Sequence, residues 1–118
     1  MNTTENNKLI AEFMGFKINT TTSIDVLYNE KTCEVLDLNK LKYHFDWNWL
    51  IEVVEKIEKN YIVDICGKAV SIHENNGEMI VDLCGKNYSN KTEAVYNACV
   101  KFIKWHNQQN QKLCSQPK

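Results

Sequence analysis

The chain has 118 residues, 43% of them hydrophobic and 25% charged, a length and balance that fit one globular domain. Its formal net charge is −1 and all 14 basic residues are Lys, so it lacks both the basic excess suited to duplex DNA and the planar guanidinium fork that reads phosphates and guanine edges. No apolar stretch is long enough to span a bilayer, so a membrane role is not expected.

The polar start, MNTTENNK, carries no apolar run and reads as neither an export signal nor an anchor. Five cysteines (Cys33, Cys66, Cys84, Cys99 and Cys114) form no CxxC pair, which points to reduced thiols in a cytosol. Four N-x-S/T sequons begin at Asn2, Asn19, Asn87 and Asn90; without export they are expected products of an Asn-rich chain. Next, NNKLIAEFMGF places Leu9, Ile10, Phe13 and Met14 on one helical stripe, and Gly15 stands where a left-handed residue would end that helix.

Residues 16–45 are less regular. SIDVLYN and LKYHF read as strands, joined by a polar loop around Asn29–Asn39 with room for a further short strand. FDWNWLIEVVEKIEKN is the clearest helix: Asp46 is a suitable N-cap, and Trp47, Leu50, Ile51, Val54 and Ile57 form the stripe to be buried. Glu52–Lys56 and Glu55–Lys59 have the favourable i,i+4 order on the water side, and Asn60 supplies a stop. YIVDICGKAVSIHENNGEMIVDLCGK reads as three strands turned at CGK and ENNG. A last helix starts at Asn90 with Glu93 completing a capping box; Ala94, Val95, Ala98, Cys99, Phe102 and Ile103 make its stripe, with Trp105 near its end. The expected fold is α+β, three helices layered with a largely antiparallel sheet of about five strands in the order α-β-β-α-β-β-β-α. One domain over residues 1–110 and a flexible tail over 111–118 complete the expectation.

Two stretches, IVDICGK at Ile62–Lys68 and IVDLCGK at Ile80–Lys86, are nearly identical. Strand alternation sends Val63, Ile65, Val70, Ile72, Val81 and Leu83 to one face, and Asp64, Cys66, Ser71, His73, Asp82 and Cys84 to the other. Asp, Cys and His are zinc-ligand types, but the outer strands of a three-stranded meander stand about 10 Å apart, too wide for one tetrahedral ion. The same spacing argues against a Cys–His catalytic pair. A hydrophilic sheet face built twice on one template is the expectation, with no metal site. No P-loop, dinucleotide glycine pattern, HExxH or nucleophile elbow is present, so neither an enzyme nor a cofactor is expected.

KLKYHFDWNWL crowds Tyr43, His44, Phe45, Trp47 and Trp49 into a strand-to-helix junction. Packing between helix and sheet accounts for Phe45 and Trp47 most simply. Trp49 lies two positions from Trp47 and leaves the main stripe, for solvent, an interface or a ligand. With Lys42 at the start of a helix, the cluster could receive an anion and stack a base. Asn87, Tyr88 and Ser89 offer a second polar and aromatic loop before the last helix. The expected ligand-binding residues are therefore Lys42, Tyr43, His44, Trp47, Trp49, Asn87, Tyr88 and Ser89. His44 reads first as a hydrogen-bonded structural residue, and His106 as a solvated helix-end residue.

NKLIAEFMGF, YHFDWNWLIEVVEKIE and KTEAVYNACVKFIKW together resemble a group of small phage and prophage proteins, the phage alpha-beta-alpha sandwich domain. The likeness covers most of the chain outside its middle loop and tail, and the segment between Asn19 and Asn39 departs from it. Its motifs specify packing, and no active residue is carried over. The resemblance implies a small non-enzymatic accessory protein in the cytosol of an infected bacterium. The functional expectation that follows by analogy is counter-defence: sequestration of a nucleotide-like ligand in a homo-oligomer. The alternative is a protein–protein interaction module that inhibits a host factor.

Overall fold

In a computed structural model of the chain, residues 3–19, 26–28, 31, 33, 35–37, 40–85 and 87–115 are described. The first helix, α1 (Thr3–Phe13), ends as its glycine demands: Gly15 takes φ 104°, Phe16 N–H bonds the Ala11 carbonyl at 3.0 Å, and Gly15 N–H bonds that of Glu12 at 3.1 Å. That pair of bonds is a Schellman closure, which only a residue free to enter positive φ completes without strain. It aims the chain directly into β1 (Lys17–Asn19), which pairs antiparallel with β2 (Val26–Tyr28), itself paired with β3 (Val35–Asp37). β2 lies inside SIDVLYN, and β3 is the further strand for which the polar loop has room.

LKYHF is not a strand. Tyr43–Phe45 form a turn in which the Lys42 carbonyl accepts from Phe45 N–H at 3.1 Å and Asp46 N–H at 2.8 Å. Leu41 and Tyr43 are buried by that turn, so their alternation with polar residues mimics a strand without forming one. The true early strand, β1, has three residues, too few to show a period of two.

Asp46 caps α2 (Trp47–Glu58), its carboxylate accepting from Asn48 N–H at 2.9 Å. Leu50, Val53, Val54 and Ile57 form its buried face, while Trp47 and Ile51 are half-buried. β4 (Ile62–Cys66), β5 (Ala69–His73) and β6 (Met79–Asp82) make an antiparallel meander with β5 central. The rows Val63–Ile72–Val81 and Asp64–Ser71–Asp82 run straight across it, so the two near-identical segments do occupy matching outer strands. An irregularity between Ile72 and His73 sets Met79 opposite His73. The expected single sheet of about five strands is instead two separate three-stranded antiparallel sheets, with three helices in the order α-β-β-β-α-β-β-β-α.

Asn90 opens α3 (Lys91–Ser115), its side-chain oxygen accepting from Glu93 N–H at 2.8 Å. At 1.5 Å per residue the helix is about 37 Å long. Residues 111–115, part of the segment read as a tail, continue it, and 116–118 lie outside the described residues. α3 packs on β5, β6, α1 and α2, and α2 packs on β4. The apolar sheet face, both of those helices, Ile10 and Ala11 of α1 and Leu27 of β2 close into one core.

Candidate functional site

The residues expected to bind a ligand fall into two groups at adjoining helix starts. Tyr43 is buried, and its ring meets that of Trp49 edge-on at 5.2 Å. Trp49 is therefore packed and half-buried, although it does leave the Leu50–Ile57 stripe. Lys42 and His44 are exposed, and Nδ1 of His44 lies 3.0 Å from the side-chain nitrogen of Asn7. The ring of Trp47 lies under the ammonium of Lys91, 5.4 Å away. That contact brings the start of α2 against the start of α3, and so toward Asn87, Tyr88 and Ser89 just before it. Asn87 and Ser89 are exposed, and Tyr88 packs half-buried on the core.

The outer face of β4–β6 carries Asp64, Cys66, Asp82 and Cys84, all exposed. The Cys84 N–H donates to Asp82 at 3.1 Å. This bond, with one from the thiol, holds the Asp82 carboxyl below the usual carboxylate range. In return the Asp82 carboxylate, followed by burial and the nearby Cys66 and Asp64, pushes the Cys84 thiol up, which favours its unreactive protonated form. Nδ1 of His73 is buried without a hydrogen-bond partner and stands 3.8 Å from Asp64, beyond bonding distance. Among the described residues no group of three or more His, Cys, Asp or Glu side chains could hold a metal ion.

The more developed concavity lies elsewhere, between the C-terminal ends of α1 and α2 and the middle of α3. This cleft holds about 360 Å³. Phe102 forms its floor, meeting Tyr61 edge-on at 4.8 Å and Phe13 at 6.2 Å. His106 stacks on Phe102 with centroids 5.9 Å apart and an interplanar angle of 28°, and presents an edge to Phe13. Lys56 reaches over the Phe13 ring, 4.8 Å from its centroid, and donates to the Phe13 carbonyl. Burial, together with the charges of Lys59 and Lys31, holds the Lys56 ammonium below the usual lysine range. Glu12, Lys59, Asn60 and Asn107 complete the rim. Aromatic walls beside ammonium groups can hold a flat ring and an attached anion together.

Reasoning from the sequence places these residues otherwise. Phe13 and Phe102 appear in it as core stripe, Lys56 and Lys59 as water-facing partners of glutamates, and His106 as a solvated helix end. One local signal was present: Phe102 and His106 are four apart on a helix, so they share a face. That α1 and α2 would bring Phe13 and Lys56 to that same face is a tertiary fact.

No family model, curated protein or solved structure matches this chain.

Proposed function

We propose that the chain is a non-enzymatic binding protein that holds a small nucleotide-like ligand, a flat ring bearing an anionic group, in the cleft between α1, α2 and α3. The observation that carries this reading is the cleft itself. A floor of Phe102 and Tyr61, a His106 ring stacked at its side and Lys56 and Lys59 at its mouth surround about 360 Å³. That volume falls within the range of small-ligand pockets, about 300–1,000 Å³. The Cys84 thiol is held protonated, which suits retention of a ligand better than its conversion. In the setting implied by the resemblance to small phage proteins, the binding would sequester a nucleotide signal used in bacterial defence, in a homo-oligomer.

Thermal melting against a panel of nucleosides, mono-, di- and triphosphates and cyclic nucleotides tests the reading. A binder supplied at a hundred times its dissociation constant should add about 2.7 kcal/mol of stability. A flat melting temperature across the panel, with native mass spectrometry finding no small molecule on protein from infected cells, would refute it.

A further inference from the structure

Building on that reading of the cleft, we infer that its ligand carries a single phosphate group joined to one ring, and that Lys56 and Lys59 hold the phosphate while the Phe102–His106–Tyr61 side holds the ring. Charge and size both lead there. Lys56 and Lys59 are three apart on the last turn of α2, so both side chains leave the same side of the helix. Lys31 is close enough for its charge to weigh on Lys56. An ammonium has three N–H donors, and the Phe13 carbonyl accepts from Lys56.

Opposing these positive charges are Glu12 and the carbonyl ends of α1 and α2, each end worth about half an elementary charge. Those carbonyls are already closed: Ala11 and Glu12 accept from the turn at Gly15, Phe13 accepts from Lys56, and Ile57 accepts from Tyr61 N–H at 3.0 Å. The surplus at the mouth is therefore about one to two positive charges, which a phosphate monoester with about −1.5 to −2 at neutral pH neutralises. A triphosphate would overshoot that surplus, and an uncharged nucleoside would leave the lysines repelling one another. The volume, at the small end of the ligand-pocket range, suits a ring, a sugar and one phosphate. The ring has its shelf ready: His106 lies nearly parallel to Phe102, and Tyr61 meets Phe102 edge-on.

Calorimetric titration at fixed ionic strength should compare the four common nucleoside 5′-monophosphates with their nucleosides, their triphosphates, ribose 5-phosphate and inorganic phosphate. At least one monophosphate should bind tenfold or more tighter than its nucleoside, its triphosphate and either phosphate lacking a ring. Lys59→Gln and Lys56→Gln should each lower that affinity at least tenfold while leaving nucleoside binding unchanged, and Tyr61→Ala should weaken nucleoside and monophosphate alike. Lys59 is exposed, so its variant folds even where Lys56→Gln disturbs the Phe13 contact, and a melting curve verifies both. Equal affinity for nucleoside and monophosphate overturns the phosphate assignment while the binding function stands. Ribose 5-phosphate binding as tightly as the nucleotides overturns the ring assignment. Tightest binding by a triphosphate or cyclic nucleotide overturns the single-phosphate assignment, and a panel in which nothing binds removes the binding function along with it.

Discussion

Asn7 lies buried on α1 with both ends of its amide engaged: its nitrogen meets Nδ1 of His44 and its oxygen accepts from the Tyr96 hydroxyl, each at 3.0 Å. In the sequence it belongs to a polar leader, because a hydropathy pattern assigns amides to water. Only a partner 89 residues away makes its burial affordable. His44 does act as the hydrogen-bonded residue its context suggests. The Cys99 thiol and the Tyr96 hydroxyl are both pushed up to about 12 by burial. Each holds its proton more tightly in the folded chain, so its contribution is intact below the ordinary values of 9.0 and 10.0 and is lost as pH rises toward about 12. Lys56, whose folded value is lowered, acts in the opposite sense and gains stability as pH rises through its own window. Urea midpoints measured from pH 8 upward should fall above pH 9, and Cys99→Ala should flatten that slope. Parallel slopes for the two proteins would rule Cys99 out as the source.

Helix ends are where local sequence and local structure agree best, because a cap is chemistry among neighbours. Asp46 accepts from Asn48, Asn90 from Glu93, and Gly15 closes α1 in positive φ, all foreseeable from residue type and spacing. The ENNG turn is equally legible: Gly77 takes φ 93°, and Asn76 accepts from Glu78 N–H at 2.9 Å. Asp46→Ala should cost about 1 kcal/mol in chemical denaturation, with an unchanged m-value. No loss of stability would mean that the turn at Tyr43–Phe45, rather than the carboxylate, fixes the start of α2. That turn is also where the elements were misread, since Leu41 and Tyr43 are buried two apart in a segment that never enters a sheet.

For the molecule as a whole, Phe102 joins core and cleft. Its side chain is 1% exposed, yet its ring supports Phe13, Tyr61, Trp105 and His106. Phe102→Ala should cost about 3–5 kcal/mol by denaturation and abolish ligand binding. Phe45→Ala, at a side chain 62% exposed, should change stability by no more than about 0.5 kcal/mol. Similar losses from both would mean that Phe102 is not the hub of this packing.

The sequence by itself determined the helices, the meander with its two matched outer strands, the caps and the turns, because each depends on periodicity or on residues within one turn of each other. It also set which sheet face is apolar. The tertiary structure alone decided that the strands would divide between two sheets, that Asn7 would be buried, and that Phe13, Lys56, Tyr61, Phe102 and His106 would enclose one cleft. The physical reason is range: a cap or a strand period is fixed by neighbours along the chain. A cleft is fixed by how three helices, each satisfied locally, share the burial of a single core.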